Sequence, residues 1–458
     1  MDCKRILNKI ALIWLISTAS LAHAKSVSPC VNWPKSDFQP IANKQTGIVA
    51  PDYGLYWFKM SKGQYPEAVK KAYTPASLEP YYADGSRNTN PGPRQPIRYQ
   101  LAKAAYQQEL LKTNYFDPTK PTVIFIHGWN PDSTINKKRF DLCYQYQTGP
   151  GKYSPRYNTL KYFKEKGWNV GIFYWNQFSD DEDLYRVENK IYPSIDPTPR
   201  SWAYLNADNQ LEYCANSLNK TCMALPKNAN NEPDSMARLA FNAYTDALPA
   251  NYHQTIHIVG FSLGTQIAIQ LADSILETPT VPQASRLTLL DPYLTNSKLS
   301  GSSINILALN IAALNNIINI ASKQHKDFVI SLYRTSLLSN TAYQKMIVGN
   351  PNIAQHIAYV KLEPKYLNPF YQQDILEAQH VSAPYLYFQS MRAAPNDHCN
   401  QAGCSSSSYI DAASSNAEIK ALAGQKRYQK PDALLPEKDT SEHDFPDTQD
   451  DVFSANPL

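Results

Sequence analysis

Residues 256–272 have the sequence IHIVGFSLGTQIAIQLA, and the fold assignment depends on this stretch. Three of its first four residues are apolar and β-branched, which is typical of a buried strand. GFSLG follows at 260–264, and the remaining residues have helical composition. A strand, a tight turn and a helix in this order hold a serine on a strained backbone with its hydroxyl exposed. We therefore predict that Gly260 and Gly264 permit a close strand–helix turn around a nucleophilic Ser262.

Short apolar runs alternate with helical segments on both sides of this stretch. The predicted strands are Thr122–Ile126, Trp168–Tyr174, Thr255–Val259, Leu287–Leu290, Phe328–Tyr333 and Ile357–Leu362. The predicted helices are Asn158–Lys166, Asp234–Leu248, Gly264–Leu276 and Ile304–Ala321. Runs that are apolar on both faces indicate a mostly parallel central sheet with flanking helices and right-handed crossovers.

The N-terminus has the features of a secretory signal over residues 1–24. Three basic residues precede a short apolar centre, and Ala22-His23-Ala24 fits a small-x-small cleavage site. The alternative is a membrane anchor, which the apolar run is too short to form by itself. We therefore expect a secreted or periplasmic protein.

The remaining chain divides by composition. Residues 25–119 are predicted to be an N-terminal extension packed on the core, with one helix over Ala102–Leu111. Residues 120–423 form the predicted catalytic domain, in which the polar, proline-containing segment 177–233 is a cap-like insertion. Residues 424–458 are acidic, with seven carboxylates between residues 437 and 451 against one lysine, and we expect this tail to be disordered.

Charge and cysteine usage exclude some classes of function. The net charge of +4 is modest and argues against nucleic acid as a partner. Six cysteines follow the signal, and an even number in an exported chain favours disulfides over free or mispaired thiols. Proximity in sequence favours the pairs Cys214–Cys222, Cys399–Cys404 and Cys30–Cys143. No Cys-x-x-Cys motif or histidine pair has the spacing of metal ligands, so we expect no metal.

A nucleophilic serine needs a histidine base that is held by a carboxylate. The strand after Ser262 ends in Asp291-Pro292, and a residue at that strand end lies on the same sheet edge as the nucleophile. We predict Asp291 as the acid; the alternative is a turn or helix-capping aspartate.

Several histidines follow the acid. His380 comes after the last predicted strand and precedes a predicted helix over residues 382–391, so we predict His380 as the base. His398 is its rival, beside the predicted Cys399–Cys404 loop. The other three are placed less well, at the wrong end of a strand or in the acidic tail: His325, His356 and His443.

The oxyanion of an acyl-transfer reaction needs two backbone donors. The first is predicted to be the N–H of Leu263, which follows the nucleophile. The second is predicted to be the N–H of Trp129, in the loop after the first strand. Gly128 lets that loop approach the serine closely, and His127 orients the loop rather than acting as the base.

These motifs, in their order and spacing, resemble the pancreatic-type animal lipases and their bacterial relatives, within the α/β-hydrolase superfamily. The resemblance covers about residues 120–392 and rests on His127-Gly128-Trp129, the motif at 260–264, Asp291 and His380. It implies an α/β-hydrolase fold in which Ser262, Asp291 and His380 form a triad. We expect three departures from the family: residues 363–379 contain no cysteines to enclose a lid before His380, no segment is expected to form the family's C-terminal lipid-binding domain, and an N-terminal extension is added.

The sequence thus predicts a secreted, lipase-like carboxylic ester hydrolase, whether lipase, phospholipase A1 or esterase, that uses an acyl-enzyme and no cofactor. The expected partner is a lipid or small ester, with transient contact to a membrane or lipid surface. The alternatives are a peptidase or thioesterase on the same fold, or a non-catalytic surface protein that retains it. The apolar segment Ile304–Ala321 is either an interfacial helix or a helix packed over the site.

Overall fold

The computed structural model describes the core of the chain and parts of its extensions. The described residues are 51, 53–60, 66–68, 115–136, 139–140, 142–144, 147–149, 152–153, 157–193, 201–206, 208–214, 234–362, 375–392, 396–397 and 410–430. The predicted signal, the helix over Ala102–Leu111, His398 and His443 lie outside them. So do four of the predicted disulfide residues, namely Cys30, Cys222, Cys399 and Cys404.

Ten strands form one central sheet, in the order β15-β16-β14-β13-β12-β11-β3-β8-β1-β2. Seven adjacent strands run parallel to one another, namely β16, β14, β13, β12, β11, β3 and β8. Strands β1, β2 and β15 pair antiparallel at the two edges. The strands of this sheet are β1 Gly54–Met60, β2 Pro66–Ala68, β3 Thr122–Ile126, β8 Asn169–Tyr174, β11 Ile256–Phe261, β12 Arg286–Leu290, β13 Val329–Arg334, β14 Ile357–Leu362, β15 Asn396–Asp397 and β16 Lys426–Lys430. Three small hairpins or pairs are formed by β4 Cys143–Tyr144 with β7 Tyr157–Asn158, β5 Gln147–Gly149 with β6 Lys152–Tyr153, and β9 Trp202–Leu205 with β10 Leu211–Cys214.

Helices connect the strands. They are α1 Leu160–Glu165, α2 Asn176–Ser179, α3 Leu184–Asn189, α4 Met236–Ala247, α5 Gly264–Leu276, α6 Ile306–Gln324, α7 Asn340–Ala342, α8 Pro351–Ala354, α9 Ile375–Gln389 and α10 Asn416–Ala421. A 3-10 turn at Leu337–Ser339 leads into α7, and a π-helical stretch at Tyr343–Val348 follows it.

The predicted fold class is confirmed: this is an α/β-hydrolase-like fold with a mostly parallel sheet between two helical layers. One apolar cluster joins the sheet to α4, α5 and α6 through residues such as Leu239, Ile267 and Leu314. A second cluster on the opposite face contains Phe163 and Phe388, which come from α1 and α9. The two clusters bury both faces of the central strands, as their uninterrupted apolar sequences require.

Helix α6 is the predicted apolar segment over residues 304–321. Among the described residues it is the one helix that by length and composition alone would cross a membrane, and 44% of that window is buried inside the protein. Its buried face includes Leu314 and Ile317 in the main apolar cluster. This face therefore packs in the core of the protein.

The α5–α6 contact contains two carboxylates that share one amide. Asn316 Nδ2 of α6 donates to Asp273 Oδ1 of α5 at 2.8 Å and to Oε1 of Glu277, which caps the C-terminal end of α5, at 2.7 Å. Burial raises the pKa of Asp273 to about 6, and the neighbouring Glu277 charge adds to the shift.

We expect Asp273→Asn to stabilise the protein at pH 8 but not at acid pH. Between the ordinary pKa of Asp and about 6, the folded protein holds a proton that the unfolded chain has released, so stability falls as pH rises through this window. Asparagine removes the buried charge and keeps an oxygen for Asn316. Thermal unfolding of both proteins from pH 4 to 8 measures the effect; a constant difference in Tm across this range would contradict it.

Two predictions about the C-terminal part are wrong. Residues 426–430 belong to β16, which pairs parallel with β14, so the stretch predicted as a disordered tail from residue 424 begins with a sheet strand. The polar sequence KRYQK lacks the apolar pattern expected of a strand, because β16 lies near the sheet edge. The helix predicted to begin after His380 also begins earlier, at Ile375, so that His380 lies inside α9.

The predicted cap-like insertion contains α2, α3 and the β9–β10 hairpin within its described part. Cys214 at the end of β10 is disulfide-bonded. The three predicted pairings stay predictions.

Candidate active site

Ser262 lies in the sharp turn between β11 and α5. Its φ of 55° is in the left-handed region, which is costly for a residue other than glycine. Its N–H donates to Leu290 O at 3.0 Å, which fixes the turn against the neighbouring strand. A Cβ on Gly260 would lie 2.6 Å from Thr265 Cα, and one on Gly264 would overlap the carbonyl oxygens of Ile126 and His127. The two glycines therefore allow the close packing predicted from the motif.

The three residues predicted as a triad lie in hydrogen-bond contact, although they are far apart in sequence. Ser262 Oγ lies 2.8 Å from His380 Nε2, and His380 Nδ1 lies 2.6 Å from Asp291 Oδ2. Asp291 is fully buried, whereas Ser262 and His380 are 7% and 9% exposed. In this arrangement Nδ1–H donates to the carboxylate, and Nε2 is free to accept the serine proton.

The Asp291 carboxylate is held by hydroxyl and amide donors that the sequence did not indicate. Oδ1 accepts from Thr335 N at 2.8 Å, Ser336 N at 3.0 Å and Ser339 Oγ at 2.8 Å, while Ser336 Oγ donates to Oδ2. Burial alone would raise the pKa of Asp291, but the hydrogen bonds from His380 and Ser336 hold it below its ordinary value. The loop after β13 thus keeps this carboxylate charged and oriented.

His380 projects from the middle of α9, and the helix contains a proline four residues later. Pro384 has no N–H, so the carbonyl of His380 loses its usual helical donor. The Phe261 ring, one residue before the nucleophile, packs against the imidazole with ring centroids 4.8 Å apart. The same segment that positions the serine therefore also restricts the histidine ring.

The loop after β3 lies directly against the nucleophile. A Cβ on Gly128 would lie 2.6 Å from Ser262 Cβ, so only glycine fits there. Within the described part of the chain, the N–H groups of Trp129 and Leu263 make no backbone hydrogen bond outside regular helices and strands. They are the predicted oxyanion donors.

His127 is buried beneath this loop. Burial lowers its pKa to about 4, so its imidazole is neutral at neutral pH. Nδ1–H donates to Gly128 O at 2.8 Å, Nε2 accepts from Trp175 N at 3.3 Å, and the Trp175 indole donates to His127 O at 2.8 Å. These contacts agree with the predicted role of His127 in orienting the loop.

Other chemistry-bearing groups are separate from this site. Among the described residues, no group of three or more His, Cys, Asp or Glu side chains is placed to hold a metal ion. His325 caps the C-terminal end of α6, before β13 begins, and His356 Nδ1–H donates to Asn352 O at 2.8 Å, before β14 begins. Neither contacts Ser262.

Comparisons with known proteins add little to this geometry. No model of a protein family and no curated protein matches the sequence. Among solved structures, the product of the gene lin2722 of Listeria innocua is 12% identical with a TM-score of 0.28, and covers 60% of this chain and 95% of its own. A glucuronoyl esterase from Solibacter usitatus is 7% identical with a TM-score of 0.23, covering 68% of this chain and 69% of its own. Similarity at this level identifies neither a family nor an activity.

Proposed function

We propose that this protein is a secreted serine hydrolase that cleaves carboxylic esters in the manner of a lipase. The observation that carries the proposal is the continuous hydrogen-bonded path from Ser262 Oγ through His380 to the buried Asp291. Nucleophilic acyl transfer needs a serine, an imidazole nitrogen that accepts the serine proton, and an ionised carboxylate that holds the imidazole, in this order.

In the proposed mechanism, His380 Nε2 removes the proton of Ser262 Oγ as the oxygen attacks the ester carbonyl. Asp291 holds Nδ1–H and stabilises the imidazolium that forms, and its lowered pKa keeps it ionised for this role. The N–H groups of Leu263 and Trp129 bind the oxyanion. His380 then protonates the leaving alcohol, and water activated by the same imidazole hydrolyses the acyl-enzyme.

The proposed substrates are lipid or small esters, which include triglycerides and phospholipids cut at an acyl ester. No step of this mechanism requires a metal or an organic cofactor. The proposed export rests on the basic, apolar and small-residue pattern of residues 1–24.

A fluorophosphonate probe tests the proposal, because it phosphonylates a serine only when a base has activated it. We expect labelling of the folded protein and none after heat denaturation, with the modified peptide containing Ser262. A panel of oxygen esters, thioesters and peptides then defines the reaction class. Folded protein that does not label would refute the proposed catalysis and favour a binding protein, whereas faster cleavage of thioesters or peptides would replace the ester assignment.

A further inference from the structure

The segment after β8, residues 176–192, contacts three elements of the candidate site: the loop after β3, helix α5 that follows Ser262, and the loop after Asp291. Residues 127–130 after β3 form the loop with the predicted oxyanion donor Trp129, here called the oxyanion loop. Towards this loop, Ser179 O accepts from Asn130 N at 3.3 Å, and Asp181 O accepts from the Trp129 indole at 2.8 Å. This half of the segment is fixed internally by Lys190, whose buried ammonium lies 3.1 Å from Asp181 Oδ2. The oxyanion loop therefore rests on a preformed support.

The other half of the segment contacts the nucleophile helix and the loop after Asp291 through one carboxylate. Glu188, fully buried on α3, accepts at Oε1 from Gln266 Nε2 at 2.7 Å and from Thr295 N at 3.3 Å. Thr295 Oγ1 donates to Oε2. Gln266 lies one turn after Ser262 on α5, and Thr295 lies four residues after Asp291, so Glu188 joins the two elements that carry the nucleophile and the acid.

Neighbouring side chains extend this connection. Tyr192 OH donates to Gln266 Oε1 at 2.6 Å and accepts from Asn310 Nδ2 of α6 at 2.6 Å. Gln266 Nε2 also donates to Tyr293 O at 2.8 Å, and Tyr293 N donates to Ser262 O at 3.2 Å. Both the oxygen and the nitrogen of the Gln266 amide are thus held by hydrogen bonds. Through Tyr293, the position of this amide affects the backbone of Ser262.

The carboxylate of Glu188 is held by neutral donors. None of the ion pairs formed among the described residues includes it. Burial raises its pKa, and its charge adds to the burial that raises the pKa of Tyr192. A buried carboxylate without a cation is costly to the fold, and such groups are concentrated at functional sites.

We propose that Glu188 is a positioning residue that sets the distance between the nucleophile helix and the acid-bearing loop. It acts through Gln266 and Thr295 and does not contact substrate. This inference rests on the proposed triad, since it concerns the alignment of Ser262 with His380 and Asp291. Catalytic alignment is sensitive to displacements of about 1 Å, which can cost about 100-fold in rate.

Two uncharged substitutions of similar size separate positioning from packing. Glu188→Gln keeps an oxygen for Gln266 and Thr295 N and turns its amide towards Thr295 Oγ1, whereas Glu188→Leu removes the acceptor of all three hydrogen bonds. We expect Glu188→Leu to lower kcat for a short-chain p-nitrophenyl ester by roughly 10- to 100-fold with KM within about twofold. We expect Glu188→Gln to retain kcat within about threefold.

The fluorophosphonate labelling rate of Ser262 provides a second readout that needs no substrate. It should fall with kcat in Glu188→Leu and recover in Glu188→Gln, with both proteins folded by circular dichroism. If Glu188→Leu does not fold, Thr295→Val is measured instead, because it removes only the hydroxyl of a partly exposed residue. A lower kcat in Thr295→Val would support the positioning role, and an unchanged kcat would contradict it.

Equal labelling rates in wild type and in folded Glu188→Leu or Thr295→Val would overturn the positioning role. Loss of kcat in Glu188→Gln as large as that in Glu188→Leu would overturn it as well, since the hydrogen-bonding geometry would then be irrelevant. Failure of the proposed function has a different signature, because the wild-type protein itself would then not label.

Discussion

Replacing Ser262 with alanine is expected to lower kcat for ester hydrolysis by about 10⁶-fold, to the level of residual binding and oxyanion stabilisation. Alanine removes the hydroxyl that lies 2.8 Å from His380 Nε2, so no acyl-enzyme forms. Hydrolysis of a chromogenic short-chain ester and of an emulsified triglyceride, each measured at saturating substrate, provides the test.

Ser274→Ala is the matched control, because Ser274 lies on α5, the helix that follows the nucleophile, twelve residues beyond Ser262. Its kcat should equal that of the wild type. Burst kinetics should show a rapid release of product by the wild type that Ser262→Ala lacks. Ester hydrolysis that survives in Ser262→Ala within about tenfold of wild type would show that another group is the nucleophile.

Asp291→Asn is expected to lower kcat by about 10⁴-fold while leaving the protein folded. Three donors converge on Oδ1 of Asp291, so the asparagine oxygen will take that position and its NH₂ group will face His380. Nδ1 must then accept, which places the imidazole proton on Nε2. The histidine in that tautomer cannot remove the proton of Ser262.

The measurements for Asp291→Asn are kcat and the fluorophosphonate labelling rate, which should fall together. Asp273→Asn makes the same change at a half-buried aspartate of α5 away from the site, so its kcat should match that of the wild type. Full activity of Asp291→Asn would mean that Asp291 only forms a turn. Its φ of 40° and its position after β12 are compatible with that role as well.

The central sheet was predictable because its strands are buried on both faces. Thr122–Ile126 and Ile357–Leu362 form strands with the predicted bounds, and α5 begins and ends at the predicted residues. Continuous apolar runs are the strongest sequence signal of this architecture.

The edges and the histidine helix were less predictable. The predicted helix covers residues 382–391, which places Pro384 in its first turn, where proline is tolerated. Tertiary packing instead extends α9 to Ile375, with the proline in its interior. β16 was missed because a strand near an edge pairs through its backbone and needs no apolar run.

The supporting residues of the site carry no local signature. Ser336 and Ser339 lie in a loop whose sequence contains no recognisable motif, although their hydroxyls donate hydrogen bonds to Asp291. Glu188 is one acid in a polar insertion, and its burial follows from contacts with residues 78 and 107 positions away. Such partners emerge only when the fold brings distant segments together.

The pairing of β16 with β14 has a consequence for shortened forms of the chain. A protein that ended at Gly424 would keep all three triad residues but would expose the N–H and C=O groups of β14 along one edge. An unpaired strand edge accepts a strand from another molecule. Trimming by a protease at that point would therefore lead to self-association before any loss of catalytic groups.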